Sequence, residues 1–240
     1  MRKEEIIDGL KDGLIVSCQA VPGEPHYMEG MTAKMAECAA WAGAVGIRAN
    51  SPDDIKRIKE TVDLPIIGLW KIDRNIKDVY LTPHLNAARE IWHAGAEIIA
   101  VQATKHKRDD GKYSYETIKE IKKEIPEALI FADISTPEDA RIAAEYGADF
   151  VAPTLQGYTK AGYFDHVTLK DTPDFILLRD IVDAVKGTET KVIMEGKVST
   201  PEIAIQCLYM GAYAVVVGNA ITRPHITAKR FARMLKRYHD

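Results

Sequence analysis

The chain has 240 residues, 46% of them apolar, and a formal charge of −3 with both signs mixed throughout. It carries no basic stripe with interleaved aromatics, which argues against a nucleic-acid partner, and no run of 18 apolar residues that would span a membrane. Three cysteines without a CxxC pair, and an N-terminal MRKEEIIDGLKDG without an apolar signal core, predict a reduced cytoplasmic protein.

Eight strand-like runs follow one another: 14–19, 44–48, 65–71, 97–103, 128–134, 149–155, 191–196 and 213–218. Most are nearly continuous apolar stretches, the pattern of strands covered on both faces. Helical patterns fall between them. A Gly-Ala pair precedes a strand four times, at Gly43, Gly95, Gly147 and Gly211, and each glycine closes an amphipathic run as a helix-terminating glycine does. Ser51-Pro52, Thr82-Pro83, Thr136-Pro137, Thr172-Pro173 and Thr200-Pro201 read as helix starts, with a capping hydroxyl followed by a proline suited to the first helical position. Strand–helix units repeated eight times predict a single (β/α)8 barrel over residues 1–240, with a doubly wound sheet as the alternative. A chain of this length buries about 70–75% of its unfolded surface, enough for one core. The insertion 156–174 after the sixth strand is a candidate lid.

Six of the runs end in a polar residue: Gln19, Arg48, Lys71, Gln102, Asp133 and Glu195. A strand alternates faces with period two, so Lys71 shares a face with Leu69 and Ile67, and Asp133 with Phe131 and Leu129. Polar groups on apolar ladders are how a parallel barrel gathers chemistry at one mouth. Lys71 reads as an acid/base group, a Schiff-base nucleophile or an ion-pair member. A free lysine has a pKa of about 10.4, so service as a base requires burial or nearby positive charge. Glu195 is a candidate for proton transfer and Asp133 for orientation, since buried carboxylates need partners. Gln19 and Arg48 are candidate donors to substrate oxygens, with structural pairing as the alternative.

The seventh run ends in Glu195-Gly196-Lys197 and the eighth in Val217-Gly218-Asn219. Glycines there let backbone N–H groups approach an anion, and a short helix after the eighth strand would aim its positive end at the same point. Barrels often hold phosphate at this position. The alternative is that Gly196 and Gly218 serve tight turns only. Arg223 then reads as an anion clamp. No HxH or HExxH spacing marks a metal site. Trp41 and Trp92 read as packing groups, and KHKRDDGK (105–112) as a solvated loop.

The segments GLIVSCQA, GAVGIRANS, VDLPIIG, ADIST, GYT, EGK and VVGNAITRP together resemble the N-acylglucosamine-6-phosphate 2-epimerase family, nearly end to end. The resemblance implies a (β/α)8 barrel of the ribulose-phosphate-binding type, a homodimer, and no metal or organic cofactor. It implies interconversion of N-acetylmannosamine 6-phosphate and N-acetylglucosamine 6-phosphate in sialic acid breakdown. By the same resemblance Lys71 is the catalytic lysine and Glu195 the essential glutamate. Gln19, Arg48, Asp133 and Arg223 match substrate contacts, and Gly196, Gly218 and Asn219 the phosphate loops. The chain departs from the family's usual aspartate at Gln102, and has Lys71-Ile72-Asp73 where KRD is common. The rival readings are another phosphosugar isomerase or epimerase, a Schiff-base aldolase on the same barrel, or a non-catalytic phosphosugar-binding protein.

Overall fold

The computed structural model describes residues 2–73, 78–157 and 172–239. Eight parallel strands close into one barrel in chain order, with the eighth paired to the first. They are β1 (Leu14–Cys18), β2 (Gly46–Asn50), β3 (Ile66–Leu69), β4 (Ile98–Gln102), β5 (Leu129–Asp133), β6 (Phe150–Ala152), β7 (Lys191–Glu195) and β8 (Ala214–Val217). The helices around them are α2 (Met31–Trp41), α3 (Pro52–Lys59), α4 (Leu85–His93), α5 (Glu116–Glu124), α6 (Pro137–Glu145), α7 (Phe175–Ala184) and α8 (Pro201–Tyr209), preceded by α1 (Lys3–Leu10). After β8 come a short α9 (Asn219–Thr222) and a long α10 (Pro224–His239). Among the described residues no helix is long and apolar enough to cross a membrane.

The period-two reading separates the two faces of each strand. Inside, Ile15, Ile67, Ile98, Leu129, Phe131, Phe150 and Ile193 form one cluster, into which α1 inserts Ile6 and Leu10. That helix closes the barrel floor, and the Tyr213 hydroxyl donates to the Ile7 carbonyl at 3.0 Å. Outside, Ile99, Ile130, Val151 and Val215 pack against Ile118, Leu178 and Ile181 of the helical layer. Fully burying side chains of this size contributes roughly 1.5–3 kcal/mol each relative to exposure, so both layers matter to stability.

Local signals worked where their own hydrogen bonds close within the motif. Thr136 accepts from the Asp139 amide at 3.1 Å, and the Asp139 carboxylate reciprocates on the Thr136 amide. Ser51 and Thr200 cap α3 and α8 likewise. The four glycines of the Gly-Ala pairs all have positive φ. Two predicted helix starts are displaced. His84, not Thr82, caps α4 by accepting from the Ala87 amide at 3.1 Å, because the Thr82 hydroxyl is already used by the Trp70 amide. Asp174, not Thr172, caps α7 through the Leu177 amide at 2.9 Å.

Strand limits also move. β2 runs on to Asn50, so Arg48 lies within the strand and does not end it. Lys71 lies two residues past β3 and Gln19 one past β1. Trp92 packs against the core, but Trp41 is 91% exposed, because α2 buries the face carrying Thr32, Ala36 and Ala39. The segment 105–112 is not a plain solvated loop. Arg108 is buried in it and binds Thr117, Glu120 and Asp110, and this pairing, set against burial, holds the Glu120 carboxyl down at about 2. Most of the candidate lid 156–174, with Tyr158 and Thr159 of GYT, lies outside the described residues.

Candidate active site

Period-two alternation carries Gln19, Arg48, Lys71, Gln102, Asp133 and Glu195 to the inner side of the barrel, toward the C-terminal ends of the strands. A cavity of about 400 Å³ opens there, lined by Gln19, Arg48 and Lys71 from the first three strands and their ends and by Glu195, Gly196, Gly218, Asn219 and Arg223 on the β7–β8 side. This volume suits a small organic ligand. Asp133 and Gln102 are not among its lining residues.

Arg48 organises the floor. From β2 its Nη2 donates to both oxygens of Asp133, at 2.9 and 2.8 Å, and its Nη1 donates to Glu195 Oε2. Its guanidinium also lies 4.8 Å from the Phe131 ring centroid. Asp133 is fully buried beneath it. Two carboxylates therefore share one buried guanidinium, Asp133 fully enclosed and Glu195 13% exposed at the cavity. Burial pushes the Glu195 carboxyl up, Arg48 pulls it down, and Asp133 pushes it up again, leaving it at about 7. Burial likewise raises Asp133, against the pull of Arg48.

Lys71 approaches from the opposite wall, since β3 and β7 stand four strands apart in the ring of eight. Its Nζ donates to Gln19 Oε1 at 2.6 Å, and Gln19 Nε2 donates to Ser17 Oγ at 2.9 Å. Asn50 accepts from the Lys71 backbone amide at 2.9 Å. Asn50 was legible in principle, because it stands two residues after Arg48 and so shares its face.

The loops after β7 and β8 meet at the cavity rim. Gly196 has φ +111 and Lys197 φ +58, a paired left-handed turn that Gly196 can adopt without strain. Gly218 has negative φ and starts α9. Arg223 is held above them. Its Nη1 donates to Asn219 Oδ1 at 2.7 Å, and its Nε lies 2.8 Å from Glu24 Oε1. Glu24, on the loop after β1, is a contact that sequence spacing gave no means of finding. Tyr80 and Arg230 also line the cavity without having been singled out. Among the described residues no group of three or more His, Cys, Asp or Glu side chains converges as a metal site.

A closed parallel barrel with an amine and a carboxylate facing one cavity at its C-terminal mouth is the architecture of a (β/α)8 enzyme. The family described as "Putative N-acetylmannosamine-6-phosphate epimerase" matches residues 32–237. A relative of that name from Listeria welshimeri, a 2-epimerase, is 44% identical over 96% of this chain and 95% of its own. A solved structure of the N-acetylmannosamine-6-phosphate 2-epimerase from Clostridium perfringens superposes with a TM-score of 0.87 at 38% identity, covering 98% of each chain. The thiamine phosphate pyrophosphorylase from Pyrococcus furiosus, at 16% identity and a TM-score of 0.58 over 90% of this chain and 89% of its own, shares the fold alone. The chain belongs to the N-acetylmannosamine-6-phosphate epimerase family.

Proposed function

We propose that this enzyme interconverts N-acetylmannosamine 6-phosphate and N-acetylglucosamine 6-phosphate by moving the proton on C2. The observation that carries the reading is the placement of Lys71 and Glu195 on opposite strands facing one cavity. The C2 hydrogen is acidic only beside a carbonyl, so the sugar reacts as the open-chain C1 aldehyde. One group removes that proton from one face, leaving an enolate with its charge on O1. The other group returns a proton to the opposite face, and the configuration at C2 is inverted. A carboxyl near pKa 7 is suited to either half of this exchange at neutral pH. Gln19 orients the Lys71 amine, and Arg48 with Asp133 fixes Glu195.

The phosphate is assigned to the β7–β8 rim, where Gly196, Gly218 and Asn219 present backbone and Arg223 presents charge. We further propose a homodimer in the cytoplasm. Phe231, Met234 and Leu235 on α10 are 60–68% exposed, an apolar face suited to a partner copy, and three free thiols fit a reducing compartment. Light scattering after size exclusion tests the dimer.

The test of the activity is direct. Incubation of the purified protein with N-acetylmannosamine 6-phosphate should yield the gluco epimer. Absence of conversion with the substrate bound would favour a binding protein. Borohydride trapping of a covalent adduct on Lys71 would favour the aldolase reading.

A further inference from the structure

We infer that Gln102 is a positioning residue for Lys71, acting through the segment 78–82. This rests on the proposed catalytic role of Lys71. Lys71 lies beyond the end of β3, where the barrel's own pairing has stopped. Its backbone is held instead by a short return segment. The Ile72 amide donates to the Tyr80 carbonyl at 2.8 Å, and the Thr82 amide to the Trp70 carbonyl at 2.8 Å. The Thr82 hydroxyl accepts from the Trp70 amide at 3.1 Å. Lys71 bridges Leu81 between these contacts. Thr82 itself has φ +46, a costly conformation for a β-branched residue, which persists only where surrounding bonds over-determine it.

Gln102 anchors that segment from β4. Its amide nitrogen donates to the Leu81 carbonyl at 3.0 Å. Its side-chain Oε1 accepts from the Tyr80 amide at 3.2 Å, and its Nε2 donates to the Asp78 carbonyl at 2.8 Å and to Thr104 Oγ1 at 3.3 Å. The residue is 1% exposed and does not line the cavity, whereas Tyr80 and Leu81 do. One planar amide thus supplies an acceptor and a donor to two backbone groups of the return segment. A carboxylate is an acceptor only and would face the Asp78 carbonyl with a second oxygen. An aliphatic side chain would make neither of these bonds, leaving the Tyr80 amide and the Asp78 carbonyl without this partner. In this chain, which departs here from the family's usual aspartate, these contacts call for a primary amide, and their consequence is the height and aim of the lysine above β3.

The test compares Gln102→Met and Gln102→Glu with wild type and Lys71→Ala, measuring kcat and KM across pH after melting curves confirm folding. Displacement of a reacting group by a fraction of an ångström to an ångström costs about 10–100-fold in kcat. Gln102→Met should lose that much at every pH, with KM for the phosphorylated sugar within about threefold, because the phosphate loops lie across the mouth. In Gln102→Glu the introduced carboxyl can donate to the Asp78 carbonyl when protonated and not when ionised. The ratio of its kcat to wild type should therefore fall as pH rises while melting curves at each pH show the variant still folded, which separates the effect from general destabilisation. If Gln102→Met does not fold, that ratio alone decides. Unchanged kcat in the folded variants, or a pH-independent ratio for Gln102→Glu, overturns the inference. Activity in Lys71→Ala would instead remove the catalytic lysine on which it rests, so the two failures are distinct.

Discussion

Arg48 and Glu195, on strands β2 and β7, are joined across the barrel interior by a hydrogen bond from Nη1 to Oε2, while the other arm of the guanidinium is held by Asp133. A buried arginine shared by two carboxylates leaves each carboxylate only partly compensated. Burial is the main cause that pushes the Glu195 carboxyl up to about 7; the shared arginine pulls against it, and the neighbouring Asp133 adds to the rise.

A proton-transfer pair made of Lys71 and Glu195 works only when the two hold one proton between them. Below about 7 Glu195 is also protonated and no base remains, so kcat/KM should fall as pH drops through that value. Glu195→Gln should lose at least about a hundredfold in kcat, and its residual activity should lack this limb. The phosphate ester of the substrate titrates at about 6, but that limb would persist in the variant.

Removing Arg48 strands one buried and one largely buried carboxylate, Asp133 and Glu195. Arg48→Leu should lower stability by about 3–5 kcal/mol, read as a reduced urea midpoint at pH 8. Protonation relieves the stranded charges, so the loss should shrink on acidification. The sign follows from burial. Burial raises Glu195 to about 7 even with Arg48 pulling it down; without Arg48 it rises further, so the cost of its ionisation grows as pH rises from the ordinary carboxylate range and extends above 7.

Gly68 on β3 faces the helical layer with no room for a side chain. A Cβ there would stand 2.4 Å from Ile91 Cγ2, 2.6 Å from Ala96 Cβ and 2.8 Å from Ile55 Cδ1. Gly68→Ala should cost about 1–3 kcal/mol and lower Tm by about 2–4 °C per kcal/mol in a calorimetric scan.

Arg223 is the cation assigned to phosphate. Arg223→Ala should raise KM for the phosphorylated sugar about tenfold to a hundredfold, as loss of a charge-assisted contact does. Binding of the unphosphorylated sugar should be unchanged. Equal weakening of both ligands would detach Arg223 from the phosphate.

The barrel and the inward set of six polar residues were legible because both depend on short-range periodicity. Burial on two faces makes a strand continuously apolar, and period two fixes which residue looks inward. What the sequence hid is non-local. Nothing in the spacing joins Glu24 to Arg223, or Gln102 to a segment more than twenty positions earlier. Thr82 carries a helix-start signature, yet its hydroxyl is spent on Trp70, a competition invisible until the return segment is placed. Gln102 reads in the sequence only as a departure from the family's usual aspartate, and is found bonding the backbone of the segment beside the lysine. Arg108 sat in a run of charges that reads as solvated, until Thr117 and Glu120 of α5 close over it.

The central claim is that the proton on C2 leaves and another returns. The direct measurement is proton NMR of N-acetylmannosamine 6-phosphate incubated with the protein in D2O. The account predicts appearance of the gluco epimer with deuterium at C2, and loss of conversion in Lys71→Ala. Substrate that stays bound to the wild type without conversion or exchange, or conversion that is undiminished in Lys71→Ala, would contradict it.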